Sequence, residues 1–218
     1  HDVKLIVLSS HGRSGLSGWN VSGVVQKIIL RAYVPTMIVR AYRPVTSELT
    51  GFRYNRLLVP LDCSQRAECV LPLAAALARF HGSQLMLVHV VRRPEMPRRA
   101  PPTQDDIELE NKITERNRLE AARYLEQLQS RLSLDVQTRL LVSNNPAATL
   151  HELVDREDID LVLLNAHGYS GETQWPYGSL AVSFIAYGTT PLLIMQDIPP
   201  DEVEPTQAEV AARERKGH

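Results

Sequence analysis

The segment Asn165-Ala-His-Gly168, followed after nine residues by Gly178-Ser179, sets two glycines and a hydroxyl where an apolar run gives way to a helical pattern. Glycine lets a ligand approach the backbone N–H groups, a helix start is the positive end of its dipole, and the serine adds a donor. Such a loop can cradle a phosphate. It can equally be a strand end followed by a helix cap, and spacing alone does not separate the two. Asp62, which closes the apolar run 56–61, also has two readings: an acceptor for ribose or base hydrogen bonds, or a turn and N-cap residue beside Ser64. His11 and His167 suit either bracing of their loops or a place near a phosphate. His89 lies inside an apolar run with no partner at metal-ligand spacing, so it reads as a core histidine and no metal centre is expected. The GxSxG elbow, the GxxxxGK[ST] loop and a GxGxxG after a strand are all missing, so hydrolase and dehydrogenase chemistry lack their parts and no catalytic residue is assigned.

The elements that must position these residues are read from periodicity. Arg56 to Asp62 is a buried strand ending in a turn, and Gln65 to His81 is a helix with Cys69, Val70, Leu73, Leu77 and Phe80 at helical spacing and Gly82 as its C-cap. Gln84 to Val91 is a second strand. A loop with the arginines 92, 93, 98 and 99 follows; it reads as solvated, though able to reach anionic partners. Asp105 to Leu132 is a long helix with an expected buried stripe of Leu119, Ala122, Leu125, Leu128 and Leu132. Strand 135–142, a helix opened by Asn145-Pro146, strand 159–164, helix 179–187 and strand 191–195 complete the series. Alternating strands and helices with continuous apolar strands imply a parallel, doubly wound five-stranded sheet, whose ligands sit beyond the strand carboxyl ends.

The chain also repeats itself. Asp2 to Gly12 reappears as Asp158 to Gly168 at an offset of 156, which also relates Ser14 to Ser170, Trp19 to Trp175 and Pro35 to Pro191. Residues 1–42 therefore read as a β-α-β remnant, the C-terminal part of a first domain whose front precedes His1. Residues 43–55 read as a linker, 56–197 as a complete domain and 198–218 as a polar flexible tail. The 24 Lys and Arg balance 25 Asp and Glu, leaving a net charge of −1 that draws neither nucleic acid nor membrane. No apolar run is long enough to span a bilayer, and the two cysteines, Cys63 and Cys69, form no disulfide or zinc pattern, so a cytoplasmic protein is expected.

Leu58-Val-Pro-Leu-Asp62-Cys-Ser64, Leu87 to Val91, Asp160 to Gly168 and Gly178-Ser179 together resemble the universal stress protein family, in order and spacing, across residues 56–195; residues 1–40 resemble the end of such a domain. The resemblance implies a Rossmann-like α/β fold, often in tandem, and in one subset an ATP site whose motif falls on Asn165, Gly168, Gly178 and Ser179. It also implies contacts from Pro60 and Asp62 to ribose and base, a backbone contact from Val90 to adenine, and pairing between tandem domains or copies through the antiparallel strands 36–39 and 192–195. ATP or another adenine nucleotide, with Mg2+ accompanying ATP, is the implied ligand, and stress-response regulation without appreciable turnover the implied role. The rival expectation is an interaction module with a degenerate site. Asn165 stands where the motif has its first glycine, and the 168–178 cradle holds Glu172 and no basic residue, which predicts little advantage of ATP over ADP or AMP. In the first copy the motif positions hold Ser9, Gly12, Ser22 and Gly23, and no nucleotide site is expected there.

Overall fold

The structure, a computed structural model, describes residues 3–10, 23–29, 32, 34–40, 51–95, 101–169 and 177–196. In chain order the elements are β1 Ile6–Ser9, α1 Gly23–Ile29, β2 Thr36–Val39, β3 Arg56–Pro60, α2 Gln65–Glu68, α3 Leu71–His81 and β4 Gln84–Val91. There follow α4 Gln104–Arg131, β5 Val136–Val142, α5 Pro146–Arg156, β6 Leu161–Asn165, α6 Ser179–Tyr187 and β7 Leu192–Met195.

The strands form one sheet in the order β1-β2-β7-β6-β3-β4-β5. From β7 to β5 all neighbours are parallel, the doubly wound five-stranded unit expected from the sequence. β1 and β2 are parallel to each other and continue the sheet through an antiparallel β2–β7 contact. The repeat is visible in the register: Ile6 pairs with Thr36, and their counterparts at the same offset, Val162 and Leu192, pair with each other.

Strand side chains alternate between two apolar layers, as the pleat requires. Leu58, Met86, Val88, Val162 and Leu164 face the layer that contains α1, α5 and α6 side chains. Leu57, Val59, Leu85, Leu87 and Leu163 face the layer of α2, α3 and α4. Helices after β3 and β4 thus cover one face and those after β5 and β6 the other. The winding direction reverses between β3 and β6, and their carboxyl ends part there to leave a crevice.

Three local readings are corrected. The helix 65–81 is interrupted after Glu68, because Pro72 has no N–H to give and its ring collides with the Glu68 carbonyl in a continuous helix; the chain restarts at Leu71 with Pro72 in the first turn. Its buried face is then Leu71, Ala74, Ala75 and Ala78, while Cys69 and Phe80 are exposed. On α4 the buried line is Thr114, Ala121, Leu125 and Leu128, and Leu119, turned about 240° from Leu125 around the helix, faces out. Gly82 does adopt the left-handed conformation that closes α3, with φ of 67°. The remnant and linker boundaries fall partly, and the tail wholly, outside the described residues.

A pair of cross-caps ties β2 and β7 to the opposite helices. Arg40, just past β2 and 3% exposed, donates to the carbonyls of Phe184, Ile185 and Thr190 at the end of α6. Its counterpart in the repeat, Gln196, just past β7, donates to the Ala32 carbonyl beyond α1. A cation at a helix C-terminus meets both unpaired carbonyls and the negative end of the dipole, which favours burying Arg40 there. Gly188 makes room for it: a Cβ there would stand 3.0 Å from the guanidinium and 2.5 Å from the Phe184 carbonyl oxygen.

Candidate functional site

A cavity of roughly 790 Å³ opens at the carboxyl ends of β6, β3, β4 and β5. All eight residues singled out from the sequence line it: Pro60, Asp62, Val90, Asn165, His167, Gly168, Gly178 and Ser179. Arg92, Asn144 and Asn145 line it too and were not among them. Strand parity could have found Arg92, since it continues the side of β4 that carries Val88 and Val90.

At β3 the strand ends on Pro60, whose ring nitrogen faces the β6 side past the last β3–β6 pair, Leu58 with Val162, so its missing N–H costs no ladder bond. Asp62 follows. Its Oδ1 accepts from Ser64 N at 3.1 Å and Ser64 Oγ at 2.6 Å, while its Oδ2 accepts from Tyr169 N at 2.5 Å. Ser64 in turn caps α2 by accepting from Ala67 N. The turn reading of Asp62 holds, with Ser64 rather than Asp62 as the N-cap, and the residue lines the cavity as the latch between the β3 and β6 loops. Gly168 is what lets the loops close this far, because a Cβ there would lie 2.0 Å from Asp62 Oδ2. Cys63 next to it holds φ of 67°, and desolvation, then the nearby Asp62 and Glu68 carboxylates, push its thiol up to about 11. A thiol held protonated in this way is not a nucleophile at neutral pH.

β4 outruns β3. The last β3 rung pairs Pro60 with Val88, and Leu61 N donates to Val88 O, whereas Val90 is still paired to Leu141 of β5. In a parallel ladder a residue spends both backbone groups on one side, so Val90, like Val88, turns its N–H and C=O toward the β3 side, beyond the last rung and into the cavity. His89, read from the sequence as a core histidine, is instead half-buried and lines the cavity, with its Nδ1 2.8 Å from the Leu61 carbonyl oxygen.

The β6–α6 connection completes the site. His167 is buried, and Asn165, 7% exposed, donates from Nδ2 to the His167 carbonyl at 3.1 Å. That bond fixes the amide orientation, since the flipped form would set two acceptors together. Asn165 Oδ1 is left buried with no hydrogen-bond partner. The side chain at the first motif position is thus folded down onto its own loop. Gly178 N donates to Ala166 O at 2.7 Å, and a Cβ on Gly178 would sit 3.3 Å from that oxygen.

The helix starts differ in a way that matters. Ser64, Thr103 with Asp106, and Asn145 cap α2, α4 and α5 with side-chain acceptors. α6 begins at Gly178 with no side-chain cap, and its first turn, Ser179, Leu180 and Ala181, lines the cavity. Those three N–H groups have no intrahelical partner. They form a ready anion site at the positive end of the dipole. His11, Gly12, Ser22 and Glu172 lie outside the described residues.

The universal stress protein family profile matches residues 53–196, well over half of the chain. Universal stress protein MJ0577 of Methanocaldococcus jannaschii is 23% identical over 159 residues, covering 66% of this chain and 95% of that protein. Among solved structures, UspA of Lactobacillus plantarum is similar with a TM-score of 0.55 at 20% identity, over 66% of this chain and 99% of its own. A universal stress protein of Archaeoglobus fulgidus has a TM-score of 0.59 at 17% identity; it covers 89% of this chain, which spans only 63% of it. At these identities the structural likeness establishes the fold, and the profile match establishes the kinship: this chain belongs to the universal stress protein family.

Proposed function

We propose that this protein binds an adenine nucleotide, ATP, ADP or AMP, in the cavity at the β3–β6 crevice and serves as a regulator in stress response rather than as a turnover enzyme. The observation that carries the reading is the start of α6, which has no side-chain cap among the described residues and whose first turn, with three N–H groups that lack an intrahelical partner, lines the cavity beside Gly168 and Gly178. α2, α4 and α5 carry a side-chain acceptor at their starts and α3, like α6, has none; the α6 start is the one that faces this cavity, and a phosphate would be its acceptor. Ser179 Oγ adds a donor at the same place.

The remaining lining residues fit the rest of such a ligand. A carboxylate offers about four lone-pair positions, and Asp62 uses three on Ser64 and Tyr169, leaving one for a ribose hydroxyl. The backbone of Val90, past the β3 ladder, presents a donor and an acceptor to an adenine edge. Mg2+ would arrive on the phosphates of ATP.

Asn165 favours a second reading, an interaction module without nucleotide, because its unpartnered Oδ1 sits where the family motif has glycine. Calorimetric titration separates them. Adenine nucleotide binds the native chain, and Gly178→Val, which pushes a side chain against the Ala166 carbonyl and the α6 start, weakens it roughly ten- to a hundredfold. No heat with any of the three nucleotides at millimolar concentration would leave the interaction module standing.

A further inference from the structure

The geometry points to Arg92 as the specificity-determining cation of this cavity, one that makes the site select phosphorylated adenine ligands over the free nucleoside. The inference rests on the nucleotide reading above and adds a residue that lies outside the family motif quoted from the sequence.

Alternation along β4 separates two adjacent arginines. Val88 and Val90 pack on the α5 and α6 side of the sheet, and Arg92 continues that side into the cavity wall. Arg93 turns to the opposite side, where α4 lies, and pairs with Glu110 of that helix at 3.8 Å. Arg92 makes no ion pair among the described residues. Among the described residues that line the cavity the other side chain of full charge is Asp62, whose carboxylate already accepts from Ser64 and Tyr169. The positive charge that the β6–α6 loop fails to supply is thus supplied from a strand.

Neighbouring strands are about 4.8 Å apart, so β4, separated from β6 by β3 alone, places its end roughly 10 Å from the β6 end. Arg92 is exposed at the cavity, so at that separation one unit charge acting on another shifts affinity between about twofold, at the dielectric of water, and about tenfold, at an intermediate one. A guanidinium on a flexible stem can also close part of the distance and make a direct contact with an anionic oxygen. Either way the gain follows the ligand's charge, and adenosine does not share it.

The test is calorimetric titration of adenosine, AMP and ATP into the native chain and into Arg92→Ala, Arg92→Glu and Arg93→Ala, at low and high salt. Arg92→Ala is expected to weaken AMP and ATP about two- to tenfold while leaving adenosine unchanged, and Arg92→Glu to weaken ATP further. The advantage of AMP over adenosine should shrink at high salt in the native chain and respond little to salt in Arg92→Ala. Arg93→Ala should match the native chain throughout. Equal losses for adenosine and AMP, or no loss for either, would overturn the assignment while leaving the nucleotide site intact. A native chain that binds none of the three ligands would overturn the nucleotide reading and the role of Arg92 with it.

Discussion

Asp62 and Gly168 illustrate how one residue serves both the fold and the site. The carboxylate read from the sequence as a possible ligand acceptor is also what holds the Tyr169 N–H, and the glycine of the proposed phosphate loop is also what lets that latch close. Gly168→Ala should force Asp62 aside and destabilise the chain by about 1–3 kcal/mol, read as a lower denaturation midpoint, with weaker nucleotide binding as a companion effect. An unchanged midpoint would mean the latch has no energetic weight. Cys63 tests the electrostatics of the same loop. Its folded-state pKa, raised to about 11, keeps it protonated across neutral pH, and the thiolate appears only as pH climbs toward that value. In a Cys69→Ser chain, iodoacetamide should therefore alkylate Cys63 about a hundredfold more slowly at pH 7 than it does a free cysteine peptide. Asp62→Asn, by removing a negative neighbour, should speed the reaction.

At the scale of elements, the junction of β2 with β7 depends on Arg40 beneath the end of α6. Arg40→Met keeps the apolar stem and removes the donors to the Phe184, Ile185 and Thr190 carbonyls. It should cost roughly 2–4 kcal/mol in chemical denaturation, whereas Gln196→Met, which loses a neutral donor to one carbonyl, should cost about 1 kcal/mol. Elements were read well from the sequence where the signal is local. The apolar runs 84–91 and 36–39 gave their strands, Gly82 gave a helix end, and Asn145-Pro146 gave a helix start. What escaped depends on contacts distant in sequence. The break before Leu71 is the exception, since Pro72 against the Glu68 carbonyl is a local signal in the sequence, whereas the outward turn of Leu119 follows from which face of α4 the sheet takes. The role of Arg92 follows from pleat parity relative to α4, which its place in an arginine-rich loop conceals. The eight site residues converged because motif spacing records the strand ends, yet the side-chain conformation of Asn165 and the double duty of Asp62 depend on loop closure.

Among the described residues the strands form one sheet whose terminal strands are β1 and β5. β1 corresponds in the repeat to β6, whose second edge is covered by β3, while the second edge of β1 has no strand among the described residues. Val3, Leu5 and Val7 alternate along it at 51%, 45% and 57% exposure. We take residues 1–42 as part of a unit of the same kind as 56–197, and expect the chain to self-associate through this edge. Sedimentation velocity should show species larger than a monomer as concentration rises, and Leu5→Lys with Val7→Lys should return the monomer; a monodisperse native monomer at high concentration would contradict this. The central claim, that the uncapped start of α6 holds a nucleotide phosphate, is tested most directly by following backbone amide resonances while AMP is added to the isotopically labelled chain. The account predicts saturable shifts centred on Ser179, Leu180 and Ala181, with Gly168 and Val90 responding at the same ligand concentration. Amides of α6 that stay still, or shifts gathered at a surface away from the β3–β6 crevice, would contradict it.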